Sequence, residues 1–449
     1  MSKRITILGS GLSGPLLATF LARRGYQIDL YEKRDDMRKT SVERGRSINL
    51  ALSTRGIAAL KAIGIDKEIL GSAIPMYSRM IHTLDGDLES QPYGKDGQAI
   101  NSVSRSGLNI ELMNIAEREP NLKIHFDFTC KEVHLNDKVV ILENNKTDEI
   151  VKKNVDILIG TDGSNSSLRH SIESTGVNTK VVWLEHGYKE LTIPAGINGE
   201  FLLEKNSLHI WPRHEFMMIA LPNPDATFTL TLFAPWEGEN GLNSIKTDDD
   251  VLRYFNIFFK DAVPLMPTLL EDWNRNPPST LATVRCDKWY YEDWAFLLGD
   301  AAHAVVPFYG QGMNCCFEDC LELDNIISKI LPESVDEWCT VIEKYFENRK
   351  PNADAIADLA LQNFVEMRSK VINPKFIKKK EIDNILFDFF PEFWVPLYTM
   401  VTFSTIPYSD ALNRSIKQDN FLEKIGYENI LNEINKGKDS LEKFLKLNF

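Results

Sequence analysis

Cysteine is scarce in this chain: 6 residues in 449, at positions 130, 286, 315, 316, 320 and 339, with no C-x-x-C pair. That sparsity excludes a disulfide scaffold, and the spacing offers no zinc site. Positive charge is also short, because 51 Lys and Arg against 64 Asp and Glu leave a net charge of −13. No basic cluster with interleaved aromatics relieves that deficit, which argues against nucleic acid as a partner. Long apolar runs are missing too. The richest candidate, Ile385 to Leu412, is broken by Asp388, Pro391, Glu392, Pro396 and Pro407, so it cannot span a bilayer as one helix. It reads as buried helices, with contact to a membrane surface as the other option. The apolar stretch at the N-terminus is too short for a signal peptide and leads straight into a strand, so a reducing cytoplasm is the expected location. Neither an internal repeat nor a low-complexity tract is present. What remains, 43% hydrophobic and 26% charged, is the composition of a globular protein long enough for two or three packed units.

The chain opens strand, helix, strand. Arg4–Leu8 is a short apolar strand, Leu12–Arg24 a helix and Tyr26–Tyr31 a second strand. Pro15 falls in the first helical turn, where its missing N–H costs little. Leu122–Phe126, Lys138–Leu142 and Asp156–Gly160 read as further strands, with the charged stretch Glu143–Lys153 as a hairpin tip. Between Val181 and Ala234, runs such as Phe201–Glu204, Leu208–Trp211, Phe216–Ala220 and Phe228–Phe233 predict an antiparallel sheet that forms a wall. Glu237–Asp250 reads as a polar loop and Pro277-Pro278 as a boundary. Beyond Phe317 the pattern is helical, with breaks expected near Pro351, Pro374 and Pro391.

Gly9-Ser-Gly-Leu-Ser-Gly14 fits G-x-G-x-x-G in the required context, strand before and helix after. Such glycines allow a tight turn, close approach of a pyrophosphate to helix amides, and close helix–strand packing. Glu32, 18 residues beyond Gly14 at the end of the second strand, can accept a hydrogen bond from a ribose hydroxyl. NAD and FAD both use this fingerprint. Two later segments decide between them: Asp156–Arg169, which ends a strand in Asp162-Gly163, and Trp294–His303, which ends one in Gly299-Asp300 and leads to Pro307-Phe-Tyr-Gly-Gln-Gly-Met-Asn314.

In that order, the three segments resemble the FAD-dependent aromatic hydroxylases, the p-hydroxybenzoate hydroxylase-like flavin monooxygenases. Arg44–Ser53, Arg79–Gly86, Gln91–Gly94, Ser104–Asn109 and Pro307–Asn314 narrow the resemblance to the kynurenine 3-monooxygenase family, over most of the chain. It implies an α/β fold with a discontinuous Rossmann-like FAD-binding domain (1–70, 98–178 and 280–325). An antiparallel substrate-domain sheet (71–97 and 179–279) and a helical C-terminal region (326–449) complete it. The implied reaction converts L-kynurenine to 3-hydroxy-L-kynurenine in tryptophan degradation, with bound FAD, NADPH as co-substrate and O₂. A flavin C4a-hydroperoxide carries that chemistry, so no protein nucleophile, acid, base or metal is required.

By motif position, the resemblance assigns the substrate carboxylate to Arg79, Tyr93, Asn363 and Tyr398, with Phe308, Tyr309, Glu366 and Met367 nearby. It assigns the flavin to Ser13, Tyr31, Glu32, Lys33, Arg34, Ala51, Arg105, Cys130, Asp162, Asp300, Met313 and Asn314, beside the motif glycines Gly9, Gly11, Gly14 and Gly312. Read without it, Asn363, Glu366 and Met367 at i, i+3 and i+4 describe a helical packing face, Tyr398 a core aromatic and His303 a structural residue. The tail Asn432–Phe449 is charged throughout, unlike the membrane helix of mammalian members, which implies a soluble, bacterial-type form. Two alternatives stay open: another flavin enzyme, such as a phenol hydroxylase or isoprenoid reductase, and a non-enzymatic binding protein of the GDP-dissociation-inhibitor kind. Gly299-Asp300 and Gly310-Gln-Gly312 argue against the second. A homodimer is one assembly left open.

Overall fold

Three segments that read as a strand running into glycine or aspartate end side by side. The computed structural model describes residues 4–39, 49–94, 97–371 and 373–448; of Arg44–Ser53, positions 44–48 lie outside the described residues. A six-stranded sheet runs in the order Tyr290–Tyr291, Ala295–Leu297, Ile157–Gly160, Arg4–Leu8, Gln27–Tyr31, Leu122–His125. From Ala295–Leu297 onward its neighbours are all parallel. Ile5, Ile7, Leu30, Leu158 and Ile159 are buried, as expected of parallel strands covered on both faces. Parallel pairing puts all the carboxyl ends on one edge, so Gly9, Glu32, Thr161-Asp162 and Gly299-Asp300 follow adjacent strands. Ligands bind open α/β sheets along that edge.

A seven-stranded sheet stands against this edge, in the order Ser279–Cys286, Thr179–Ile193, Phe228–Pro235, Phe216–Pro222, Ser207–Arg213, Ser78–His82, Leu88–Pro92. Its strands are antiparallel except where Ser207–Arg213 meets Ser78–His82, with Arg79 opposite Leu208. The strand Ser279–Cys286 crosses the division expected at 279/280, since it hydrogen-bonds to Thr179–Tyr188. Smaller three-stranded sheets hold Asn49–Leu52 with Ile100–Ser104 and Ile74–Met76, and Phe128–His134 with Val139–Asn144 and Ile150–Asn154.

Local expectations fail where tertiary packing decides. Phe201–Glu204 is a loop rather than a strand: Phe201, Leu202 and Leu203 pack against the core beside the sheet, with Phe201 edge-on to Phe228. The expected loop Glu237–Asp250 already enters a helix at Asp248, capped by Thr247. The hairpin tip is shorter than expected, because Ile150–Asn154 stays in the ladder. Pro351 does not break its helix, which runs uninterrupted from Val335 to Val365. The helix forgoes the bond to the Glu347 carbonyl there, and the burial of Ala353, Ala355, Ile356 and Ala357 in the following turns holds it together.

The last helices, Pro374–Phe389, Tyr408–Ile425, Tyr427–Asn435 and Lys438–Asn448, share a core around Trp394. The Trp394 indole N–H donates to Asp383 at 2.9 Å. Burial pushes the Asp383 carboxyl up to about 6, against the opposing pull of Lys379 and Lys380. A raised carboxyl favours the folded state when protonated, so this contribution is full below pH 4 and lost as pH rises through 6. Asp383→Asn keeps the acceptor without the charge. The variant should therefore gain up to about 3 kcal/mol over the native chain at pH 8 and nothing at pH 4. Denaturant unfolding at the two pH values checks this; a gap independent of pH would contradict it.

Candidate active site

The carboxyl edge of the parallel sheet and the face of the seven-stranded sheet enclose a cavity of about 1010 Å³. Its dinucleotide end is built on the glycine turn. A β-carbon on Gly9, whose φ is +95°, would lie 2.6 Å from the Asp162 Cα, and one on Gly14 would lie 2.0 Å from the Gly9 carbonyl oxygen. One on Gly11 meets no protein atom within 4 Å. Backbone packing explains the outer two glycines, and Gly11 fronts the cavity, leaving a cradle that a side chain would fill.

Glu32 is 5% exposed and accepts from the Ser10 amide at 2.7 Å and from the Arg34 amide and Nε at 3.0 and 2.8 Å. Burial pushes its carboxyl up, but Arg34 and these amides outweigh that and hold it below the usual range. Asp162 accepts from the Ser167 amide through Oδ2 at 2.8 Å, while its buried Oδ1 has no partner among the described residues. Such an orphaned oxygen needs a donor, and a bound cofactor's hydroxyl or amide would supply one. Ser13, Tyr31, Lys33, Arg34, Ala51, Arg105, Asp300, Gly312 and Met313 also line the cavity. Gly312 and Met313 open the helix Gly312–Ile330, whose free amides suit negative charge. Cys130 lines it as well; burial pushes its thiol up to about 12, so it remains an unreactive thiol. The residues present fit FAD.

Gly14 and Asn314, also expected at the cofactor, are not among the residues that line the cavity. Gly14 lies in the turn's own packing. Asn314 is fully buried, donates to the Ala51 and Gly310 carbonyls at 2.8 Å each, and accepts from the Ser53 amide at 2.9 Å. Its side chain clamps the cavity loop and does not line the cavity.

The other end of the cavity is cationic. Arg79 is 4% exposed, and its Nη1 donates to Glu366 at 3.2 Å, while Nε has no partner among the described residues. Lys380 also pairs with Glu366, at 3.2 Å. Two cations around one carboxylate leave a positive charge over, and a guanidinium that lines a cavity suits a carboxylate. Burial would push the Arg79 guanidinium down, but Tyr398, Glu366 and Tyr93 raise it well above its usual value. The guanidinium lies 4.7 Å from the Tyr398 ring centre and 5.6 Å from that of Tyr93. Tyr93 stacks on Tyr398 at 5.2 Å, and Tyr309 stacks at 5.6 Å.

Of the expected substrate residues, Arg79, Asn363, Tyr398, Phe308, Tyr309 and Met367 line the cavity, whereas Tyr93 and Glu366 stand behind Arg79. The Asn363 amide donates to the Phe308 carbonyl at 2.7 Å, so it fixes the loop under the site. The expected sheet wall is present, but sequence reasoning did not single out the residues it turns into the cavity: Met217, Ile219 and Leu221, and Thr229, Thr231 and Phe233. The signal was there, as each set alternates along its strand. His303 lies outside the cavity, 2.6 Å from Asp319, whose other oxygen accepts from Arg349 at 2.6 Å. His303, Cys315 and Asp319 could group around a metal, but the Arg349 guanidinium already bonds Asp319 and reaches the Cys315 sulfur at 3.5 Å.

Residues 3–360 match the FAD binding domain family. The chain is 43% identical to the kynurenine 3-monooxygenase of Myxococcus xanthus over 94% of its own length and 90% of that protein. It is 42% identical to that of Dictyostelium discoideum, over 98% and 94%. Among solved structures, 2-methyl-3-hydroxypyridine-5-carboxylic acid oxygenase superposes with a TM-score of 0.66 at 19% identity, covering 84% of this chain and 95% of that one. PqsL of P. aeruginosa, in complex with 2-aminobenzoylacetate, does so at 0.66 and 17%, covering 82% and 96%. These two share the fold. No helix among the described residues is long and apolar enough to cross a membrane. With a glycine cradle at one end of the cavity, a buried arginine at the other and such relatives along nearly all its length, the chain belongs to the kynurenine 3-monooxygenase family of FAD-binding proteins.

Proposed function

We propose that this chain hydroxylates L-kynurenine at ring carbon 3, using bound FAD with NADPH and O₂ as co-substrates. The observation that carries this reading is one cavity joining the glycine cradle at Gly9 and Gly11 to the Arg79 guanidinium, in a chain 43% identical to a kynurenine 3-monooxygenase. Bound FAD would supply the redox chemistry, taking hydride from NADPH and activating O₂. Glu32, Asp162, Asp300 and Arg105 would hold it, and the amides at the start of helix Gly312–Ile330 would favour negative charge on its ring.

Arg79 takes the substrate carboxylate, with Tyr93 and Glu366 fixing the guanidinium from behind. Tyr398 and Asn363 complete that end. Phe308, stacked on Phe364 at 3.9 Å, and the sheet wall from Met217 to Phe233 confine the aromatic ring and keep water out. Purified protein should oxidise NADPH faster with L-kynurenine and release a product one oxygen atom heavier. A response to a phenol or an isoprenoid but not to kynurenine would favour another flavin enzyme, and a colourless protein that no FAD turns yellow would favour a binding protein. Tyr398→Phe should weaken kynurenine binding by about 0.5–3 kcal/mol, the range for one lost hydrogen bond. Equal affinity in a titration would remove that hydroxyl from the substrate contacts.

A further inference from the structure

Arg55 belongs neither to the cradle nor to the carboxylate end, yet its side chain is wholly buried and bonds groups far apart in the chain. It lies on helix Thr54–Ala62. Its Nε donates to the Val401 carbonyl at 3.1 Å, and Nη2 reaches the Met400 carbonyl at 3.4 Å and the Ile406 carbonyl. Nη1 donates to Glu318, and the guanidinium lies 3.9 Å from the Tyr408 ring centre. These carbonyls close the helix Leu397–Thr402 that carries Tyr398 and lead into the helix Tyr408–Ile425. Helix C-termini need such cationic donors.

The contacts form a ring. The Tyr408 hydroxyl donates to the Gln311 Oε1 at 2.9 Å, and the Gln311 amide contacts the Ser53 hydroxyl at 3.3 Å. Ser53 adjoins helix Thr54–Ala62, and its amide is held by Asn314. Gly310, Gln311 and Gly312 front the cavity. The element bearing Tyr398 and the loop expected to face the flavin are thus tied together by a ring of contacts in which the Arg55 guanidinium holds the helix end. We infer that Arg55 is a positioning residue that sets the substrate-bearing helix in register with the 310–314 loop, and so determines how much of the NADPH consumed ends in hydroxylated product. This inference rests on the proposed hydroxylation.

Lysine has a single ammonium and cannot reach three carbonyls and a carboxylate together. Flavin-loaded Arg55→Lys should still oxidise NADPH, with 3-hydroxykynurenine per NADPH falling to about half or less and peroxide rising in step. Without ligand, amides of residues 397–408 should exchange with deuterium about tenfold faster or more, while residues 4–31 stay unchanged. A residue with a merely structural role would lower the amount of active protein and leave the product ratio intact. Tyr408→Phe, which removes the link to Gln311 and keeps the ring over Arg55, should lower the ratio in the same direction and serves if Arg55→Lys does not fold. Native ratios in the folded variants, or native exchange over 397–408 in Arg55→Lys, would overturn the inference. A native chain that never forms 3-hydroxykynurenine would overturn the functional reading, whereas the exchange result, taken without substrate, still decides whether Arg55 locks the helix.

Discussion

A Gly11→Val protein should fold normally and purify colourless, with no added FAD turning it yellow. The geometry separates this glycine from its neighbours. β-Carbons at Gly9 or Gly14 would strike backbone at 2.6 and 2.0 Å, so those variants would misfold and reveal nothing about a ligand. The β-carbon of a valine at Gly11 meets no protein atom within 4 Å, so its apoprotein should melt close to the native apoprotein. A pyrophosphate seated on the helix amides has no room beside a branched side chain. Overpacking costs ~1–3 kcal/mol even where neighbours can yield, and the amide cradle is backbone. Asp300→Ala should weaken flavin retention less. A yellow, stoichiometric Gly11→Val protein would place the dinucleotide elsewhere.

Arg79→Ala should raise KM for kynurenine by about 2–5 kcal/mol in free-energy terms, roughly thirtyfold or more, while flavin stays bound. Arg79 is buried at 4% exposure, and its Nε has no protein partner among the described residues. Removing it leaves Glu366 paired with Lys380, a neutral couple with no charge to offer an incoming carboxylate. Arg79→Lys should recover part of the loss, because the charge returns without the two-pronged fork. An unchanged KM in the alanine variant, with the carboxylate intact on the substrate, would contradict this assignment.

What was legible in the sequence follows from range. Four of the parallel strands carry apolar residues through their buried core and lead into a residue type that the cofactor's chemistry demands, so Gly9, Glu32, Asp162 and Asp300 stood out. The sheet wall was visible as a wall; Met217, Ile219, Thr231 and Phe233 were not singled out, because alternation marks a face without saying what the face encloses. Arg79 is one arginine on a short strand until Glu366, 287 positions away, comes alongside. Arg55 and the Ile406 carbonyl are 351 positions apart, and such contacts leave no local pattern. Pro351 shows the same limit from the other side, since a helix breaker on the exposed face is overruled by the buried turns that follow it.

Turnover in an atmosphere of oxygen-18 gas tests the central claim most directly. The account predicts 3-hydroxykynurenine bearing one labelled oxygen, formed in near-equal amount to the NADPH consumed. Unlabelled product, or NADPH consumed wholly to labelled peroxide while kynurenine is recovered unchanged, would contradict it.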